Sequence, residues 1–172
     1  VEHLIQQECR HIVHLAGPDN LIISRKRTEG YLSALEDHEI PHREENIIEC
    51  RNGTPEEAER AMTHLLSQGL PIDGVFANND MAALGALKAV QKAGLSSPKD
   101  IAIIGFSDWQ FSSMLNPSLS SVSQPGYEIG KEAARLILDE IGSKGKNKGH
   151  VSILDTALVI RESSDRSKVL VS

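Results

Sequence analysis

Apolar and polar positions along the chain follow two alternating rhythms, one of strands and one of helices. His11–Gly17 is a run of buried-strand type that ends in Gly17-Pro18, a turn dipeptide. Leu21 to Asp37 then carries Ile23, Tyr31, Ala34 and Leu35 at helical spacing. Asn46–Cys50 predicts a second strand. Thr54-Pro55-Glu56-Glu57 marks a helix start, with Thr54 as N-cap, Pro55 in the first position and Glu57 reaching back as a capping box. Ala58, Ala61, Met62, Leu65 and Leu66 form the buried stripe of that helix, and Gly69 stops it. Gly74–Ala77 predicts a third strand, and a helix with small residues on its packing face then runs to Ala93 and stops at Gly94. Ile101–Phe106 is apolar at every position, as in a parallel strand covered on both faces.

Beyond that point the rhythm changes. Leu119–Gln124 predicts a short strand, and Gly126–Ile141 a helix with Ile129, Ala133, Leu136, Ile137 and Ile141 on one face. Gly142–Gly149 is basic and glycine-rich, a solvated loop without the spacing of a phosphate-binding loop. Val151–Arg161 alternates as a late strand, and no internal repeat is visible. Alternating strands and helices with buried strands predict an α/β fold, a doubly wound parallel sheet in three α/β/α layers.

A length of 172 residues suits one domain, and 40% hydrophobic with 24% charged residues is ordinary for a globular core. The net charge of −6 argues against this segment gripping nucleic acid, which calls for a basic patch. Cys9 and Cys50 lie far apart without a CxxC motif, so they read as small buried hydrophobes. The histidines show no HExxH and no paired metal spacing, so neither metal nor cofactor is expected. No signal peptide and no apolar run long enough to span a bilayer is visible. The chain opens on Val1-Glu2-His3-Leu4 in what looks like mid-helix, so an excised fragment is expected.

Function is placed by the run Gly74-Val75-Phe76-Ala77-Asn78-Asn79-Asp80. It sets Asn79 and Asp80 where a strand ends and a helix begins, the edge of an open α/β sheet at which ligands bind. Asn79 offers an amide that can both donate to and accept from a hydroxyl, or alternatively an N-cap. Asp80 reads as a first-turn carboxylate favoured by the helix dipole.

Five segments in order carry a resemblance. Leu15-Ala16-Gly17-Pro18 precedes a helix with Arg25, Arg27, Gly30 and Tyr31; Asn79-Asp80 precedes Ala83-Leu84-Gly85; Pro98-Lys99-Asp100-Ile101 leads to Ile104-Gly105-Phe106; Pro117–Val122 precedes Gln124; and Leu158–Ser164 closes the set. Together they resemble the C-terminal part of the regulatory domain of the lactose-repressor (LacI/GalR) family. The resemblance implies a periplasmic-binding-protein-like type I fold, two lobes, and a sugar-like small-molecule effector between them. Residues 1–165 would form the C-terminal lobe and 166–172 a tail. The segment 119–142 would cross to an N-terminal lobe outside this chain. The apolar face of helix 126–141 would then lack its partner and should be covered by a self-contact or be poorly ordered. Operator DNA would be held by a helix-turn-helix also outside this chain, with the protein a cytoplasmic homodimer and no membrane partner.

By the same resemblance Arg27 matches an arginine that grips ligand hydroxyls or a carboxylate, its alternative being a surface helix position. Ser107 stands where relatives often carry Asp, and Asp108 could substitute by a shift of one residue or cap a short helix over Trp109–Leu115. Trp109 could stack on a sugar ring or pack elsewhere, and Gln124 could be a polar contact or hinge. No aromatic stands at Asn52-Gly53, where many relatives place one. Leu84 and Lys88, with Phe111, Met114 and Leu115, match the family's dimer surface, or else serve plain core packing. Effector sensing without chemistry is the leading reading. A periplasmic sugar-binding receptor shares the fold, and a flavodoxin-like enzyme or phospho-receiver would need an acidic cluster at the strand ends, where Asp108 stands nearly alone.

Overall fold

The computed structural model describes residues 1–142 and 150–168. Six strands form one sheet in the order β2-β1-β3-β4-β5-β6. They are β1 (Ile12–Ala16), β2 (Ile47–Glu49), β3 (Gly74–Ala77), β4 (Ala102–Ser107), β5 (Ser120–Ser123) and β6 (Ala157–Val159). The first five run parallel, and β6 returns antiparallel against β5 with Val122 opposite Leu158. The chain winds outward from β1 in both directions, so the helices cover both faces.

Alternation along the strands sorts the core. On one face Val13, Leu15, Val75, Ala77 and Ile103 meet α3 (Pro55–Ser67) and α4 (Asp80–Lys92) through Ala58, Met62, Leu65, Ala83, Ala86 and Val90. On the other, Ile12, Phe76 and Ile104 meet α1 (Glu2–Gln6) and α2 (Ile22–Asp37) through Leu4, Tyr31 and Leu35. His14 shares that second face and is fully buried. Its ring stacks between Tyr31 and Phe76; Nδ1 donates to the Phe76 carbonyl at 3.0 Å, and Nε2 accepts from the Thr28 hydroxyl at 3.1 Å. Burial holds this imidazole neutral, down to about 4. The α3 and α4 helices pack closely because Gly85 carries no side chain; a Cβ there would fall on the Pro55 carbonyl oxygen and lie 2.8 Å from the Ala58 Cβ. Cys9 and Cys50 are both buried free thiols.

Several sequence expectations are corrected. Ile23 is more than half exposed rather than part of the α2 stripe, as is Ile22; in this first turn it is Ser24 that is buried. Thr54 caps the Glu57 amide at 3.3 Å, but the Glu57 carboxylate bypasses Thr54 and accepts from the Arg51 and Asn52 amides at 3.0 and 2.9 Å. The late strand is confined to Ala157–Val159, since only those residues find a partner strand; Val151 and Ile153 stand in solvent. The helix α5 (Gly126–Gly142) is continuous and buries none of its residues. Tyr127, Ile129, Ile137 and Ile141 are all exposed, so among the described residues no self-contact covers that face. The basic loop expected over 142–149 lies outside the described residues beyond Gly142. Arg166, expected in a tail, is docked instead, donating to the carbonyls of Pro98, Gln7 and Asp73 at 2.8–3.1 Å.

Candidate functional site

The carboxyl ends of β1, β3, β4 and β5 make one edge, and most of the expected residues gather there. Arg27 lies one turn into α2 and reaches over that edge. Its Nη1 donates to the Asn78 carbonyl at 2.7 Å, and its guanidinium lies 3.8 Å from the centre of the Phe106 ring. A cation over an aromatic face is held electrostatically and leaves the rest of its donor fork free to turn outward. Burial lowers its proton affinity below the ordinary arginine value. Gly17 admits this packing: a Cβ there would lie 2.5 Å from both the Asn78 amide nitrogen and the Ser24 hydroxyl.

Asn79 is the N-cap of α4, its Oδ1 accepting from the Ala82 amide at 2.7 Å. Its amide nitrogen packs over Gly53, which has φ of +58° and no room for a Cβ. The Asn52-Gly53 turn that lacks an aromatic is therefore filled from the α4 side.

Asp80 is almost fully buried and is the hub of the edge. Its Oδ2 accepts from the Trp109 amide at 2.8 Å and the Ser112 hydroxyl at 2.9 Å, and its Oδ1 accepts from the Ser121 hydroxyl at 2.5 Å. One carboxylate thus binds α4, the loop after β4 and strand β5. Gly105 is glycine for the same reason, since a Cβ there would fall on Asp80 Oδ1.

Ser107 and Asp108 both have positive φ, +116° and +52°. L-residues avoid this region, so the turn is held in place by its surroundings. The Asp108 carboxylate does not cap the following 3-10 turn (Gln110–Met114), which has no side-chain cap. It accepts from Arg161 Nη1 at 2.7 Å instead, and the Asp108 amide donates to the Ser121 hydroxyl at 3.0 Å. Trp109 is 55% exposed, and its ring meets that of Phe111 edge-on with centroids 5.7 Å apart. Gln124 follows Ser123, the register partner of Ser107, and so sits at the same edge with its side chain exposed.

Arg27, Asn79, Ser107, Asp108 and Trp109 thus line one rim, with Gln124 at its end. Sequence reasoning missed Asn78, Phe106 and Arg161. The doubled Asn78-Asn79 was a visible signal for the first. Nothing in the spacing ties Arg161 to a residue 53 positions earlier. The expected dimer residues divide. Met114 and Lys88 project into solvent, Leu84 and Phe111 are half-buried, and Leu115 is packed partly against the core. Among the described residues no group of three or more His, Cys, Asp or Glu is placed to hold a metal, and no helix is long and apolar enough to cross a membrane.

A mostly parallel six-stranded sheet between helical layers, with a polar rim at its carboxyl edge, is the periplasmic-binding-protein-like type I α/β class. The family described as periplasmic binding protein-like domain matches residues 1–164. The ribose operon repressor of Halalkalibacterium halodurans is 35% identical over 163 residues, 95% of this chain and 48% of that protein. The solved transcriptional regulator CelR–cellobiose complex superposes with a TM-score of 0.89 at 31% identity, over 95% of this chain and 49% of that one. The lac repressor dimer bound to operator and the anti-inducer ONPF superposes at 0.85 with 26% identity, over 95% and 55%. The chain belongs to the LacI/GalR family, as its periplasmic-binding-protein-like effector-binding domain. It spans about half the length of the curated relatives it matches.

Proposed function

We propose that this chain is the C-terminal lobe of a cytoplasmic transcriptional regulator and senses a sugar-like small molecule without performing chemistry on it. The observation that carries this reading is the rim itself. Arg27, Asn79 and the Ser107–Asp108–Trp109 turn converge at the carboxyl edge of the sheet, yet Trp109 and Gln124 stand open to solvent. A small-molecule site buries most of its ligand, so such a rim is half of a cleft and calls for a second lobe to close it. The uncovered apolar face of α5 supports the same arrangement, because a stripe of that size is suited to burial against that lobe.

In this reading the effector bridges the two lobes and favours one of their relative placements. It can shift that equilibrium only by the difference in its affinity for the two. Paired through the surface around Leu84, Lys88, Phe111, Met114 and Leu115, a homodimer would carry the shift to helix-turn-helix heads outside this chain, and so to operator DNA. A periplasmic receptor of the same fold is disfavoured because the named relatives are repressors and regulators.

The test is thermal melting and calorimetric titration of the full-length protein against sugars, sugar phosphates and nucleobases, with Arg27→Ala and Arg27→Lys alongside. One ligand class should raise the Tm with dose. Arg27→Ala should weaken that ligand at least about tenfold, the scale of a lost charge-assisted hydrogen bond. Undiminished binding in Arg27→Ala would remove Arg27 from the site.

A further inference from the structure

We propose that Arg161 is a positioning residue for the effector rim, holding the Ser107–Trp109 turn in shape through Asp108 and tying it to the strand by which the chain re-enters the sheet. This rests on the effector-binding reading given above.

Three hydrogen bonds tie the turn to α4, β5 and the segment after β6. The Trp109 amide is fixed on Asp80 of α4 at 2.8 Å, and the Asp108 amide on Ser121 of β5 at 3.0 Å. The third is made by a side chain of the turn: Asp108 Oδ1 accepts from Arg161 Nη1 at 2.7 Å. Two adjacent residues in the left-handed region have an alternative, relaxed conformation available to them. The ion pair opposes that relaxation, because its side chains are only 20% and 16% exposed and a half-buried charge left without its partner is costly.

Arg161 has little slack to give. The same Nη1 donates to the Leu119 carbonyl at 2.7 Å. Its amide donates to the Ser120 hydroxyl at 2.7 Å, and that hydroxyl donates back to the Arg161 carbonyl at 2.9 Å. Arg161, two residues past the end of β6, is thus held by its guanidinium at Leu119 and by its backbone at Ser120, the first residue of β5. The chain leaves the sheet at Gln124, runs out through α5, and returns along β6. Arg161 is the first charged residue after β6. A displacement of β6 would therefore reach Asp108 through Arg161, and with it its rim neighbours Ser107 and Trp109. Asp108 is engaged as a strut through Oδ1, which leaves the Ser107 hydroxyl and the exposed Trp109 ring as the groups this turn presents to a ligand.

The experiment uses the full-length protein, with hydrogen exchange of the peptide spanning 106–110 and titration with ribose and cellobiose as probes. Arg161→Gln and Asp108→Asn should each speed exchange in that peptide by about tenfold while β1 and β3 stay protected. Arg161→Gln combined with Asp108→Asn should be no worse than either alone, and Arg161→Lys should restore most of the protection. Whichever sugar binds the wild type should bind Arg161→Gln about tenfold more weakly. Unchanged exchange at 106–110, or acceleration spread evenly through β1 and β3, would overturn the positioning role. So would faster local exchange with sugar affinity unaltered. If neither sugar binds the wild type, the effector reading fails for these probes while the exchange data still decide the strut.

Discussion

Replacing Asp80 with alanine should loosen the whole carboxyl edge, and the cost can be worked from its contacts. The carboxylate accepts three hydrogen bonds, from the Trp109 amide and the Ser112 and Ser121 hydroxyls, at 2.5–2.9 Å and almost out of reach of water. A hydrogen bond to a charged group contributes about 1.5–3 kcal/mol net. The two hydroxyls can rotate toward other acceptors, but the amide cannot. Asp80→Ala should therefore cost about 3–5 kcal/mol, which in a domain of this size lowers Tm by roughly 6–20 °C. Gly105 supplies an internal control. Its missing Cβ is excluded chiefly by Asp80 Oδ1, while Leu119 and Ala83 lie at 3.2 and 3.3 Å and can give slightly. Gly105→Ala alone should cost about 2 kcal/mol from overpacking. In the Asp80→Ala background it should cost under about 1 kcal/mol, because the obstructing oxygen is gone. Urea melts of the four proteins read the coupling directly. Costs that simply add, within about 0.5 kcal/mol, would refute the claim that Gly105 is glycine on account of Asp80.

Two further tests concern the scaffold. Gly85→Ala should destabilise by about 2 kcal/mol, since the Pro55 carbonyl is backbone and cannot step aside. The same change at Gly30, in α2 with open space around it, should stabilise by about 0.5–1 kcal/mol; thermal melts that show the same sign at both sites would contradict the packing account. Folding stability should also fall with pH on account of His14. Its folded value of about 4 lies below the ordinary 6.5, so the unfolded chain binds the extra proton between those values. The stabilisation is fully present above pH 6.5 and is lost as pH falls toward 4, by about 3 kcal/mol for a shift of this size. His3, also lowered by burial, acts in the same direction. Urea midpoints from pH 7.5 to 4 should lose much of this slope in His14→Phe, and an unaltered slope would exonerate the histidine.

Local signals carried much of the fold. The strand β3 begins and ends where its apolar run does, and α4 stops before Gly94, which takes φ of +74° as a helix terminator should. These features depend on neighbours within one or two turns, and such neighbours are visible in sequence. The misjudged features depend on what lies across space. Val151–Arg161 alternates along its length, but a strand needs a partner ladder and β5 offers only a few residues. The Glu57 carboxylate had two sets of amides within reach, and the fold of the Arg51–Gly53 turn decided between them. At the site, Asn79 could be chosen because a strand end and a helix start mark it, and Arg27 only through the family resemblance. The roles of Asp80 as a hub and Arg161 as partner of Asp108 could not, because serines and arginines are common and their pairing distances span 29 to 53 residues.

The late arrival of β6 has a consequence for synthesis. Between β5 and β6 the ribosome adds 33 residues (124–156), so a nascent chain holds β5 as an open edge for that interval. Open edges invite pairing with other chains. Here the vulnerable strand is Ser120-Ser121-Val122-Ser123, in which the Ser120 hydroxyl is later engaged by Arg161 and Ser164. Until then the serines keep the open edge polar and short of the apolar side chains that drive aggregation. The same serines that make a polar seam in the finished domain thus serve as solubilising groups while it is being made.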